Sequence, residues 1–209
     1  MISKELNIII ENVSKKYFNK LGISNISTTF EAGYLNLLVG PNGSGKSTLL
    51  KCIMGLIKYD GIIKKNTYKI GYAPEEYVMP SFMTIQDFLV SIGRVKNLEI
   101  VYLKETMKKY LLIFDLLQEE SRLIGKLSNG MKQKVNLMQA FIHQPRIILL
   151  DEPLVSLDLV SQEKILSMIK ERCKDSLIII STHQPEKFKV RKKRIYHIEN
   201  GCLKDEFIN

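Results

Sequence analysis

Between residues 40 and 48 the chain reads Gly40-Pro41-Asn42-Gly43-Ser44-Gly45-Lys46-Ser47-Thr48. This satisfies G-x-x-x-x-G-K-[ST], directly after an apolar strand-like run and before a helix-like one. Glycines allow successive backbone N–H groups to turn inward around an anion, and a helix opening at Lys46 adds the partial positive charge of its N-terminus. The chemistry that fits is phosphate binding. Lys46 can reach the β- and γ-phosphates of a nucleoside triphosphate, the Ser47 hydroxyl can ligate Mg²⁺, and Thr48 can donate to a phosphate oxygen.

A second constellation is Ile147-Ile148-Leu149-Leu150-Asp151-Glu152, an apolar strand ending in two carboxylates. Alone, such a run is common. Beside a phosphate loop it has the form of a Walker B strand, with Asp151 holding the Mg²⁺ shell. Glu152, one residue further, is placed to polarise a water for in-line attack on a γ-phosphate.

These residues need elements that bring them together. Residues 7 to 13, 24 to 31 and 34 to 39 read as strands, the last stopping at Gly40. A helix is expected from about 46 to 57, short strands near 61 to 64 and 68 to 72, and amphipathic helix between roughly 84 and 117. In that stretch Leu103, Met107, Tyr110, Leu111 and Phe114 form an apolar stripe at helical spacing, which reads as core. A helix from Ser128 to about 143 ends before Pro145, and strand 146 to 150 follows. Helix is expected over 160 to 172 and 184 to 190, and strand over 177 to 181 and 194 to 198. No internal repeat or low-complexity linker interrupts residues 1 to 209. The alternation argues one α/β domain with a helical insertion at about 80 to 126.

Composition excludes several classes. With 45% hydrophobic and 25% charged residues the chain has the profile of a folded globular protein. Its longest apolar runs, such as 146 to 150, are too short for a membrane span, and the order near Met1 carries no export signal. Three cysteines, Cys52, Cys173 and Cys202, lack metal-type spacing and fit a reducing cytosol. The net charge of +9 is sharpest at Lys187, Lys189, Arg191, Lys192, Lys193 and Arg194. A solvated face, anionic lipid or nucleic acid could each explain it. The 8% aromatic content, without a stacking motif, counts against nucleic acid as a partner.

Leu127-Ser128-Asn129-Gly130-Met131-Lys132-Gln133 lies between the phosphate loop and the carboxylates. Here the chain resembles the ATP-binding cassette (ABC) ATPases, whose LSGGQ or LSGGMKQ signature opens a helix that clasps the γ-phosphate of ATP bound to a second subunit. Ser128 also reads as an ordinary N-cap. The resemblance extends from about residue 7 to 201. It makes Ser156-Leu157-Asp158 a D-loop, through which two cassettes communicate, and Ser181-Thr182-His183 the switch whose histidine touches the γ-phosphate. Tyr17 resembles the aromatic that stacks on adenine, with Phe18 as the alternative.

Three departures stand out. Ile70-Gly71-Tyr72-Ala73-Pro74-Glu75 carries Glu75 where the family usually has Gln; it can still ligate Mg²⁺ or water but adds negative charge near the triphosphate. Asn129 replaces the first Gly of the signature pair. The stretch between Lys58 and Lys69 is short, implying a trimmed β-subdomain.

The resemblance implies a P-loop NTPase core with a mixed or parallel sheet, an N-terminal antiparallel β-subdomain and an inserted α-helical subdomain. It implies Mg·ATP as cofactor and a head-to-tail dimer with a second ABC ATPase subunit, since Ser128 and Gly130 act in trans. It implies a transporter subunit that docks on a separate transmembrane permease and lies peripherally on the cytoplasmic face of the membrane, with export favoured. The competing class is a soluble mechanoenzyme of translation or DNA repair. Those usually carry two cassettes, a long coiled coil or a zinc insertion, none of which is present. A nucleotide kinase sharing only the phosphate loop leaves Ser128, Gly130 and His183 unexplained.

Overall fold

The computed structural model describes residues 6–18, 20–67 and 69–208. The segment around Met1 read for an export signal begins outside them, as does the first residue of the strand expected at 68 to 72. The fold is α/β, built on two sheets. Strands β1 (Asn7–Tyr17), β2 (Lys20–Glu31) and β4 (Asp60–Lys65) form a three-stranded antiparallel sheet in the order β2-β1-β4. Six more strands form a mixed sheet: β3 (Leu35–Val39), β5 (Ile70–Ala73), β6 (Ile147–Asp151), β7 (Leu177–Thr182), β8 (Lys193–Glu199) and β9 (Cys202–Ile208). Their order is β5-β6-β7-β3-β8-β9, parallel except for the antiparallel β8–β9 pair.

Strands buried on both faces read as near-continuous apolar runs, and β3, β6 and β7, apolar except at Asn36, Asp151, Ser181 and Thr182, are buried at every position. Successive side chains then feed two separate cores. Leu37, Ile148, Leu150, Ile178 and Ile180 face one core, which contains α4 (Asn129–Phe141) and α5 (Leu159–Arg172). Leu38, Ile147, Leu149, Leu177 and Ile179 face the other, with the antiparallel sheet and α1 (Lys46–Met54).

Between β5 and α4 lie α2 (Ile85–Val95) and α3 (Ile100–Ile113). The single helical stretch expected over 84 to 117 is therefore two helices. Asn97, with φ 54, turns the chain between them in the left-handed region that asparagine tolerates. The stripe Leu103, Met107, Tyr110, Leu111 and Phe114 is buried, as its spacing requires. The two ends of this insertion meet: the Ile124 N–H donates to Met83 O at 2.9 Å and the Gly125 N–H to Ser81 O at 3.0 Å.

Two other expectations need correction. Residues 184 to 190 contain only a 3₁₀ turn, Pro185–Lys187, because Phe188 turns inward and is buried. Beyond β8 the chain doubles back through Asn200 (φ 49) and Gly201 (φ 77) into β9, a strand absent from the sequence reading. The basic cluster is also not uniformly solvated. Arg194 pairs with Glu31 at 2.6 Å and Glu206 at 3.6 Å and lies over the Tyr34 ring.

His143 ties the end of α4 to β5, its Nε2–H donating to Ile70 O at 3.1 Å. Burial, reinforced by Lys96, depresses its pKa from 6.5 to about 4. The unfolded chain takes up a proton near pH 6.5 while the folded one stays neutral to about pH 4. This group therefore costs nothing above about pH 7, and stability is lost as pH falls from 6.5 toward 4. In thermal melts, the drop in Tm from pH 7 to pH 5 should shrink in His143→Gln, which keeps a donor for Ile70 O but does not titrate.

Candidate functional site

The register of the parallel sheet assembles the site. Val39 of β3 pairs with Thr182 of β7, and Asp151 of β6 pairs with Ser181. The residues that follow, Gly40, Glu152 and His183, therefore leave the sheet side by side at its C-terminal edge, where ligands bind in open α/β folds.

The phosphate loop is shaped by its glycines. Gly45 sits at φ 110, closed to other residues, and a Cβ on Gly40 would lie 2.0 Å from Ile198 O. Gly45 caps α1 without any side-chain hydrogen bond, which leaves the first N–H groups of the helix free of side-chain acceptors. Lys46 is nearly buried, and its Nζ donates to Gly40 O at 2.8 Å and Pro41 O at 3.0 Å, so the ammonium lies across the loop. Ser44 turns inward and forms part of the loop's support, its carbonyl accepting from the Gly201 N–H at 2.9 Å.

The carboxylates meet this loop directly. Asp151 Oδ1 accepts from Ser47 Oγ at 3.0 Å and from Ser181 Oγ. Glu152 holds a left-handed backbone, φ 46, which costs energy for a residue with a Cβ and persists only when its surroundings fix it. Its N–H donates to Ser181 Oγ at 3.1 Å and to Ser181 O at 3.2 Å. His183 Nδ1 lies 3.0 Å from Glu152 Oε2, and Gln184 Nε2 lies 2.9 Å from His183 Nε2. With Gln184 donating, the imidazole proton sits on Nδ1 and is given to Glu152. Glu152 Oε1 is buried and has no hydrogen-bond partner among the described residues. An acceptor oxygen held this way suits a water.

These groups open into a cleft of about 300 Å³ lined by Tyr17, Asn42, Gly43, Gly45, Lys46, Ser47, Thr48, Glu75 and Glu152. Tyr17 stands at its mouth, packed so closely on Gly22 that a Cβ there would come within 2.8 Å of the ring. Phe18, the alternative, is fully exposed and does not line the cleft. Burial pushes the Glu75 carboxyl above its ordinary range, and Asp151, Glu152 and Glu76 push the same way against Lys46. That is the electrostatic cost foreseen for a carboxylate at this position.

Ser47 and Asp151 fit Mg²⁺, which takes one or two protein oxygens and completes its shell with phosphate and water. Among the described residues no cluster of three or more His, Cys, Asp or Glu side chains could cage a metal ion.

The remaining candidates lie outside the cleft. Ser128 caps α4, accepting from the Met131 N–H at 3.2 Å, and a Cβ on Gly130 would lie 2.8 Å from Ser156 O. Asp158 caps α5, accepting from the Ser161 N–H at 2.8 Å and from Ser161 Oγ at 2.9 Å, which lowers its pKa. Sequence reasoning missed Ser181, Gln184 and Gln133. For Ser181 a signal existed, a hydroxyl two residues before His183 on an apolar strand. For Gln133 the signature string supplied the residue but not its role, because its contacts are made across the fold.

Comparison with known proteins identifies the family. Residues 23–155 match the family model described as ABC transporter. The chain is 34% identical over 181 residues to the uncharacterized ABC transporter ATP-binding protein YxlF of Bacillus subtilis, covering 83% of this chain and 61% of that one. It is equally identical to the zinc import ATP-binding protein ZnuC of Rickettsia bellii, covering 83% and 75%. A solved ATP-binding subunit of an ABC transporter superposes with a TM-score of 0.87 at 25% identity, over 96% of this chain and 89% of that one. With the glycine loop, the paired carboxylates and His183 converging on one sheet edge, the chain belongs to the ABC transporter family, as one of its ATP-hydrolysing nucleotide-binding cassettes.

Proposed function

We propose that this cassette binds ATP with Mg²⁺ in the cleft above the phosphate loop and hydrolyses it to drive transport through a separate membrane subunit. The observation that carries the reading is the unpartnered, buried Oε1 of Glu152, held beside Lys46, Ser47 and Asp151. Gly40, Pro41, Asn42, Gly43, Ser44 and Gly45 form the loop, and Lys46 and Thr48 bind phosphate. Ser47, Asp151 and Glu75 would hold Mg²⁺, which neutralises phosphate charge when bound. Glu152 accepts a proton from the attacking water as its oxygen bonds to the γ-phosphorus and the bond to ADP breaks. His183, donating to Glu152, orients that carboxylate, and Tyr17 stacks on the base.

Ser128, Gly130 and Asp158 do not line this chain's own cleft, which supports a role toward the ATP of a second cassette. Two sites shared between two subunits then require a head-to-tail dimer, closed by ATP and opened by hydrolysis. Among the described residues no helix is long and apolar enough to cross a membrane. On this reading the transport path lies in a membrane subunit, with the cassette peripheral on the cytoplasmic face. We favour export on the LSGGMKQ-like signature and Glu75. A relative named for zinc import at 34% identity keeps import as the second reading.

Affinity capture of the tagged chain from detergent-solubilised native membranes tests this. The expected outcome is a multi-span protein that raises ATP turnover when added back. Recovery of ribosomes or nucleic acid instead would replace transport with a soluble mechanoenzyme.

A further inference from the structure

Helix α4 carries a polar stripe, Gln133, Asn136 and Gln139, on the side that faces the sheet rather than solvent. Gln133 and Asn136 are almost completely buried, 3% and 2% exposed. Buried amides must hydrogen-bond, and these donate to main-chain carbonyls and to one another. Gln139 Nε2 donates to Tyr72 O at 2.6 Å. Asn136 Nδ2 donates to Pro74 O at 2.8 Å and to Gln133 Oε1 at 3.2 Å. Gln133 Nε2 donates onward to Pro153 O at 3.2 Å and, over a longer contact of 3.5 Å, to Glu152 O.

The result is an unbroken chain of amides from the carbonyl before Glu75 to the carbonyls at and after Glu152. We infer that Gln133 and Asn136 are positioning residues for hydrolysis: a two-amide strut that holds the Glu152 backbone in its left-handed conformation and fixes its distance from the Glu75 segment. Glu152 is then secured on both sides. Ser181 takes its N–H, and Gln133 reaches its carbonyl and that of Pro153. Because the strut stands on the helix that Ser128 opens, any shift of α4 along its axis moves the catalytic carboxylate and the Glu75 segment together. Buried polar networks suit this purpose, since loss of one member leaves the others unsatisfied.

The inference rests on the assignment of Glu152 as the catalytic carboxylate. Its test measures kcat, KM for ATP, direct binding of a fluorescent ATP analogue, and thermal melts. The variants are Gln133→Met and Asn136→Leu, singly and together, with Gln139→Leu as a control that removes a similar hydrogen bond outside the strut. Each of the two strut variants should lower kcat about tenfold or more, with analogue affinity within about twofold of wild type. The double variant should be no more than about twofold worse than the poorer single, the non-additivity of groups acting as one unit. Gln139→Leu should lower Tm while kcat stays within about threefold. If Gln133→Met does not fold, Asn136→Leu carries the test, since it breaks the strut without touching Glu152. Strut variants that keep wild-type kcat while Glu152→Gln is inactive overturn the strut alone. Full turnover in Glu152→Gln overturns the assignment beneath it. A Gln139→Leu loss of kcat equal to that of the strut variants reduces all three to buried-polar destabilisation.

Discussion

Glu152→Gln should bind ATP as tightly as the wild type and turn it over about 10²–10⁴-fold more slowly. The substitution keeps the volume of the side chain, so the cleft and the Ser181 contacts to its N–H persist. What disappears is the ability of the buried, unpartnered oxygen to accept a proton from water. His183 Nδ1–H can still donate to an amide oxygen, which leaves the neighbouring strand end in place. Single-turnover phosphate release and equilibrium nucleotide binding separate the two effects, and gel filtration with ATP should show the closed dimer accumulating. Wild-type turnover in a preparation free of other ATPases would remove Glu152 from the catalytic role.

Lys46→Ala should lose nucleotide binding itself. The buried Lys46 ammonium lies within 3.0 Å of the Gly40 and Pro41 carbonyls, and among the described residues no other cation lines the cleft. Charge-assisted contacts in such surroundings contribute about twice as much as neutral ones. Two of the cleft's other side chains, Glu75 and Glu152, are acidic. Without Lys46 a triphosphate meets net repulsion, and affinity should fall at least about a hundredfold in isothermal titration. Glu75→Gln, which removes one of these charges, should restore part of the loss. Undiminished binding by Lys46→Ala would show that the loop amides suffice.

Much of the site was legible because its parts are local strings. The phosphate loop, Asp151-Glu152 and Ser181-Thr182-His183 each end an apolar strand, and parallel pairing then has little choice but to bring the strand ends together. Where reading failed, the deciding interaction was distant or the signal was misweighed. Gln133 and Asn136 follow the spacing of a solvent-facing stripe, and only the fold reveals that they face main-chain carbonyls. The break between α2 and α3 falls at Asn97, without the Gly or Pro that would have marked it. Strand β9 was legible: Asn200-Gly201 between two strand-like runs is a hairpin signal, and the alternation after it is masked by Lys204, Asp205 and Glu206.

That hairpin bears on how the protein is made. The Gly201 N–H supports Ser44 O from beneath, Gly201 O receives the Ser24 N–H, and β8 pairs along the whole of β3. The nucleotide-binding loop precedes β8 and β9 in the chain, so it is synthesised before its scaffold. Contacts between such distant segments form slowly. A nascent chain stalled before β8 would therefore hold a complete phosphate-loop sequence without nucleotide affinity, so that ATP recognition waits on the synthesis of β8 and β9.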